Sequence, residues 1–172
     1  MREGYIQLYM GDGKGKTTSA IGLSIRALGA GLKVAFLQFF KTETSSEVRI
    51  FRKFEPHLLY KCFHSGGFVK GKPSKKLIEK IQEGYNLFLE LLQHGDFDLI
   101  VLDEFVYALN WNIISLSDFI EKLKNKPKGV EIVITGREVP EELLDLADLV
   151  TEMKKVKHYF DRGVKARWGI EK

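Results

Sequence analysis

The run Gly11-Asp12-Gly13-Lys14-Gly15-Lys16-Thr17-Thr18 concentrates the residue types that hold phosphate groups. Its glycines let the backbone curl until successive N–H groups point inward at phosphate oxygens. A helix that starts near Thr17 adds the partial positive charge of its N-terminus to the same spot. Lys16 has the length to reach the outer phosphates, and the Thr17 hydroxyl is placed to bind Mg²⁺. The strict GxxxxGK[ST] pattern asks for glycine where this chain has Met10, and Gly11, Gly13 and Gly15 restore the lost flexibility. The motif speaks for a nucleoside triphosphate and is silent on what becomes of it.

A second constellation answers the first. Leu99-Ile100-Val101-Leu102-Asp103-Glu104 reads as a buried strand that delivers carboxylates to its end. Mg²⁺ takes oxygen ligands, so an acidic pair facing Thr17 is the partner that a metal–triphosphate needs. In a hydrolase Asp103 would hold the metal while Glu104 activates water; in a transferase either carboxylate serves only as a ligand. Arg137 follows a strand end at Thr135-Gly136 and is expected at the same edge, in contact with the nucleotide. His57, His64, His94 and His158 show neither HExxH nor paired metal spacing, and Cys62 with His64 is too slight a pair to make a site.

Those residues need a scaffold, and the chain alternates strand and helix to supply it. Tyr5–Met10 reads as a first strand, followed by the glycine-rich turn and a helix from Thr17 to about Leu28, stopped by Gly29 and Gly31. Val34–Phe40 is an apolar run suited to a strand buried on both faces. A polar loop with a short basic helix follows over Thr42–Phe54, then a strand over Leu58–Phe63 and an exposed loop over Ser65–Pro73. The longest helix spans Pro73–His94, with Leu77, Ile81, Tyr85, Phe88 and Leu92 near helical spacing. Strand Leu99–Leu102, helix Ser115–Lys124, strand Val130–Thr135, helix Pro140–Ala147 and strand Leu149–Met153 complete the series. Helices between buried runs imply βαβ units, hence a three-layer α/β domain with a mostly parallel sheet and its ligand at the carboxyl ends of the strands.

Composition narrows the class. The 172 residues suit one domain, 1–172, without a visible boundary, and 44% hydrophobic content excludes disorder as the main state. No apolar stretch approaches the roughly 20 residues of a membrane span. No charged-then-apolar leader precedes Tyr5, and the single cysteine suits a reducing cytoplasm. A net charge of +4, with a loose basic concentration from Lys154 to Arg167, is too mild to announce a nucleic-acid binder.

Six segments in order, GDGKGKTT (Gly11–Thr18), VAFLQFFK (Val34–Lys41), VLDE (Val101–Glu104), IVITGR (Ile132–Arg137), LLDLADLV (Leu143–Val150) and VKHYFDRGVKARWGI (Val156–Ile170), resemble the P-loop ATP:corrinoid adenosyltransferases over nearly the whole chain. The C-terminal segment, together with TGR, carries the specificity that the phosphate loop lacks. The resemblance implies a P-loop NTPase fold of RecA-like architecture. The implied activity is transfer of the 5′-deoxyadenosyl group of ATP to the cobalt of a corrinoid, with release of triphosphate. The absence of a nucleophile–base arrangement then makes sense, because the nucleophile would be Co(I) itself. By match to the family, Gly11 to Thr18 cradle the triphosphate, Thr17 and Glu104 are metal ligands with Asp103 beside them, and the nucleotide lies in an unusual direction. Lys16, Thr17 and Glu104 form the catalytic group.

On the corrinoid side, the family places a loop aromatic after a Gly-Phe step beneath the macrocycle. Gly67-Phe68 keeps that step and makes Phe68 the match, while Lys70 stands where the family continues with tryptophan. Tyr107 and Trp111, just beyond the carboxylates, either line the same corrinoid pocket or belong to the core. Many members carry a leader that helps cover the site, and here a cover is expected from elsewhere. The family further implies Mg²⁺, a flavin-protein reductase as electron donor, a homodimer and a cytoplasmic setting. The residues alone leave two rivals open: an ATPase or kinase in which Glu104 positions water or a hydroxyl, and a non-catalytic nucleotide switch.

Overall fold

Strand β2 (Val34–Phe39) is buried at every position, and its side chains divide between two cores. Val34 and Phe36 join Ala20 and Ala27 of helix α1 (Lys16–Gly29) and Phe51 of helix α2 (Val48–Phe51) on one face. Ala35, Leu37 and Phe39 join Leu77, Ile81 and Phe88 of helix α3 (Lys75–His94) on the other. The same alternation runs through β4 (Leu99–Asp103) and β5 (Glu131–Thr135), so the apolar runs of the sequence are strands covered on both sides.

With β1 (Ile6–Met10), β3 (Leu58–Phe63) and β6 (Leu149–Glu152), these strands form one six-stranded sheet in the order β3-β2-β4-β5-β1-β6, parallel throughout. The computed structural model that gives this arrangement describes residues 3–42, 45–64 and 73–171. Phe68 and most of the loop expected over Ser65–Pro73 lie outside the described residues.

Local signals place most helix ends. Ser74 caps α3, its side chain accepting from Leu77 N–H at 3.2 Å, so that helix begins inside the expected Pro73–His94 span. Gly95 closes it in the left-handed region. Gly84 lets α3 lie close on the sheet, because a Cβ there would stand 2.6 Å from the Phe39 and Phe63 rings. Ser115 caps α5 (Leu116–Lys124), counting α4 (Val106–Asn110) as the helix before it, and Pro140 precedes the first residue of α6 (Glu141–Leu146) instead of occupying its first turn. The five-residue α4 is absent from the sequence reading, being too short to show a helical period. Among the described residues, no helix is long and apolar enough to cross a membrane.

One topological fact positions the site. The strand before the glycine loop, β1, and the strand that ends on Asp103, β4, are separated by β5 alone, so three strand ends meet beside the start of α1.

Candidate active site

The glycine loop is held open by its own backbone and by a neighbour far along the chain. Gly15 (φ 125) precedes α1, and Gly11 (φ 101) turns away from the end of β1. Both are conformations that glycine adopts without strain. Gly13 N–H donates to Met153 O at 2.7 Å, and Met153 N–H donates to Met10 O at 2.8 Å. A Cβ on Gly13 would stand 2.6 Å from that Met153 oxygen, so glycine is needed here for contact as well as curvature. Lys16 is buried, and its ammonium donates to the Gly11 and Gly13 carbonyls at 2.6 and 2.9 Å, which aims it into the loop. Burial pushes its pKa below the ordinary value; nearby Glu104 works against that shift, and Arg137 and Lys41 reinforce it.

At the carboxyl ends of three successive strands, β2, β4 and β5, polar side chains (Gln38, Asp103 and Thr135) replace apolar ones at the last position on the α1 side, and Tyr60 of β3 joins them from the next strand. Tyr60 of β3 donates to Gln38 of β2 at 2.9 Å, Gln38 to Asp103 Oδ2 at 2.9 Å, and Thr135 of β5 to Asp103 Oδ1 at 2.8 Å. Thr17, from the first turn of α1, donates to Asp103 Oδ1 at 2.9 Å, and Lys41 to Asp103 Oδ2 at 2.9 Å. Asp103 is 0% exposed and accepts four hydrogen bonds, the full capacity of an ionised carboxylate.

Glu104 stands differently. It is a non-glycine residue at φ 61, held by its N–H on Thr135 Oγ1 at 2.8 Å, and its carboxylate turns into the cleft, 3.5 Å from Lys41. Left-handed backbone in a side-chain-bearing residue costs about 1–3 kcal/mol and clusters where function demands it. Lys41 also donates to Thr17 Oγ1 at 2.6 Å, so oxygens from Thr17, Asp103 and Glu104 converge on one ammonium. Burial alone would lower the Lys41 pKa; Asp103 and Glu104 outweigh it, and the net shift is upward.

These groups line a cleft of ≈ 550 Å³, whose walls include the loop from Asp12 to Thr18, Lys41, Glu104 and Arg137. A larger groove of ≈ 1170 Å³ between α5 and α6 contains none of them. The far wall of the smaller cleft comes from the C-terminal tail, through His158, Gly169, Ile170 and Glu171. Lys14 ties that tail down, donating to the Tyr159 hydroxyl at 3.0 Å and to Glu171 Oε1 at 3.0 Å. Glu171 also binds the Arg167 guanidinium and the Tyr159 hydroxyl, and these contacts hold its carboxyl far below the usual carboxylate range. Asp12 Oδ1 accepts from Lys155 N–H at 3.0 Å. His158 Nδ1 accepts from Phe160 N–H, a local structural bond.

Of the residues singled out from the sequence, Asp12 to Thr18, Glu104 and Arg137 come together at this cleft, Gly11 shapes its loop, and Asp103 stands behind it. Tyr107 and Trp111 do not line it; they pack beside it, their rings 5.9 Å apart, and both contact Phe40. Sequence reasoning missed Lys41, Gln38, Thr135 and the tail as a wall. A polar residue at the end of an otherwise apolar strand was the available signal for Gln38 and Thr135.

The model of one protein family, described as ATP:corrinoid adenosyltransferase BtuR/CobO/CobP, matches residues 2–171. A corrinoid adenosyltransferase of Pseudomonas aeruginosa is 35% identical over 169 residues, covering 98% of this chain and 83% of the relative. One of Escherichia coli K12 is 34% identical over 169 residues, covering 98% and 85%. The corrinoid adenosyltransferase CobA of Salmonella typhimurium is 35% identical over 173 residues, with the same coverages of 98% and 85%. Among solved structures, the flagellar accessory protein FlaH of Methanocaldococcus jannaschii gives a TM-score of 0.62 over 88% of this chain and 72% of that one. At 16% identity this last likeness is one of fold, the RecA-like P-loop architecture.

Proposed function

The chain belongs to the ATP:corrinoid adenosyltransferase family, and from that premise we propose how its residues divide the work. Its activity is transfer of the 5′-deoxyadenosyl group of ATP to the cobalt of a corrinoid, with release of triphosphate, in adenosylcobalamin synthesis or salvage. The cobalt–carbon bond forms as the C5′–O bond breaks; Co(I) supplies the electron pair, and the pair of the broken bond leaves on the triphosphate oxygen. The enzyme has to align cobalt, C5′ and leaving oxygen, and to neutralise the charge that leaves.

Residues Gly11 to Thr18 cradle the triphosphate, with Lys16 and Arg137 as its cations. The observation that carries this reading is the convergence of Lys16, Thr17, Glu104 and Arg137 on one cleft beside the turned glycine loop. Thr17 and Glu104 are the direct ligands of Mg²⁺ in this proposal, and Asp103 orients Thr17 from behind. The donor set fits a hard cation, since the oxygens of Thr17, Asp103 and Glu104 already gather around the Lys41 ammonium. When bound, the metal supplies charge neutralisation at the triphosphate. Phe68, by resemblance, and Tyr107 and Trp111, by their place beside Glu104, are assigned to the corrinoid. Residues 1–172 act as one domain, in a cytoplasmic homodimer that receives electrons from a flavin-protein reductase.

Lys16→Ala tests the nucleotide assignment. ATP affinity measured calorimetrically is expected to fall about tenfold or more, with turnover falling alongside it. Unchanged affinity and turnover would contradict the placement of the triphosphate in this loop.

A further inference from the structure

The end of β2 breaks the alternation that the strand has kept. Gln38 faces the α1 side, where it meets Asp103, and Phe39 faces the α3 side. Continued alternation would send Phe40 to the α1 side and Lys41 away from it. The structure does the reverse. Phe40 has φ 58, keeps its N–H in the ladder on Phe63 O at 3.1 Å, and packs its ring against the same core as Phe39. Lys41 thereby returns to Thr17 and Asp103. A bulky side chain at positive φ is an outlier, and it persists only where its surroundings demand it.

The ring gained by this turn stands edge-on to Trp111 (centroids 5.3 Å apart, planes at 86°) and to Tyr107 (6.0 Å, 77°). All three rings are half-buried, neither sealed in the core nor fully in solvent. Tyr107 and Trp111 follow β4 by way of α4, three and seven residues after Glu104, so the cluster adjoins the cleft at its carboxylate. A planar macrocycle with apolar faces needs such a wall beside the nucleotide.

We propose that Phe40 is a corrinoid-contact residue. Its ring, with those of Tyr107 and Trp111, forms the apolar platform on which the macrocycle lies, and its left-handed backbone fixes that platform relative to Lys41 and Asp103. The inference rests on the adenosyltransferase reading and deepens it by naming what orients the second substrate.

The variant Phe40→Asn tests it, because asparagine tolerates the left-handed region and so removes the ring while keeping the turn. Binding of aquacobalamin is followed by quenching of tryptophan fluorescence, ATP binding by calorimetry, and product formation in parallel. The expected result is a roughly five- to tenfold loss of aquacobalamin affinity with ATP affinity retained, and recovery of the lost affinity in Phe40→Tyr. Should Phe40→Asn not fold, Phe40→Leu is read by the same criterion. Unchanged aquacobalamin affinity overturns the inference. So does an equal loss for ATP, which would mean that Phe40 acts only through Lys41. Wild-type protein that transfers no adenosyl group overturns the functional reading and this inference together. A wild type that does transfer, beside an unaffected Phe40 variant, overturns this inference alone.

Discussion

Asp103 and Glu104 are neighbours with opposite assignments, and the backbone separates them. Asp103 ends its strand in extended geometry, fully buried, with every lone-pair direction taken by a donor from a different element. Its charge is spent on holding Thr17, Lys41, Gln38 and Thr135 in one arrangement. Glu104 is turned by its positive φ out of that network and into the cleft. Strain kept at such a position trades stability for placement of a side chain. Glu104→Gly relieves it, and thermal or denaturant unfolding is expected to show a gain of about 1 kcal/mol, while turnover falls roughly a hundredfold or more. A variant that is both more stable and fully active would remove Glu104 from the machinery.

At the scale of elements, the glycine loop and the C-terminal tail behave as one unit. Gly13 N–H meets Met153 O, Asp12 meets the Lys155 amide, and Lys14 meets Tyr159 and Glu171, so three consecutive loop residues each hold a separate point on the tail. Gly13→Ala would push a methyl group against the Met153 carbonyl, which sits 2.6 Å from the position of that Cβ. The expected loss is about 1–3 kcal/mol of stability, with earlier proteolytic cleavage after residue 153 than in the wild type. Wild-type stability and cleavage would show that the loop and tail are not coupled through this contact.

The loop itself was legible from sequence because its glycines, lysine and threonine are contiguous, and the central strands β2, β4 and β5 because both their faces are apolar. The tail's place as a wall was not, since its contacts to Lys14 span more than 140 residues of sequence. Lys41 was hidden for a different reason: its direction depends on the left-handed Phe40, which no periodicity announces. The α4 helix, with Tyr107 and Trp111 on it or just past it, was too short to register.

The whole molecule gathers these parts through strand order. Because β5 lies between β1 and β4, Thr135 can bridge the two phosphate-handling elements, donating to Asp103 while accepting from Glu104 N–H. Polar chemistry collects on the α1 side of the strand ends, and the aromatic cluster of Phe40, Tyr107 and Trp111 collects beyond them. That geometry places a charged leaving group and an apolar macrocycle next to each other, which is what alkyl transfer from a nucleotide to cobalt requires. The most direct test is anaerobic incubation of the protein with Mg-ATP and chemically reduced cobalamin, following the corrinoid spectrum and identifying the phosphate product. Adenosyl transfer predicts a light-sensitive adenosylated corrinoid with one triphosphate released for each cobalt–carbon bond formed. ATP converted to ADP and phosphate with an unchanged corrinoid spectrum would contradict it.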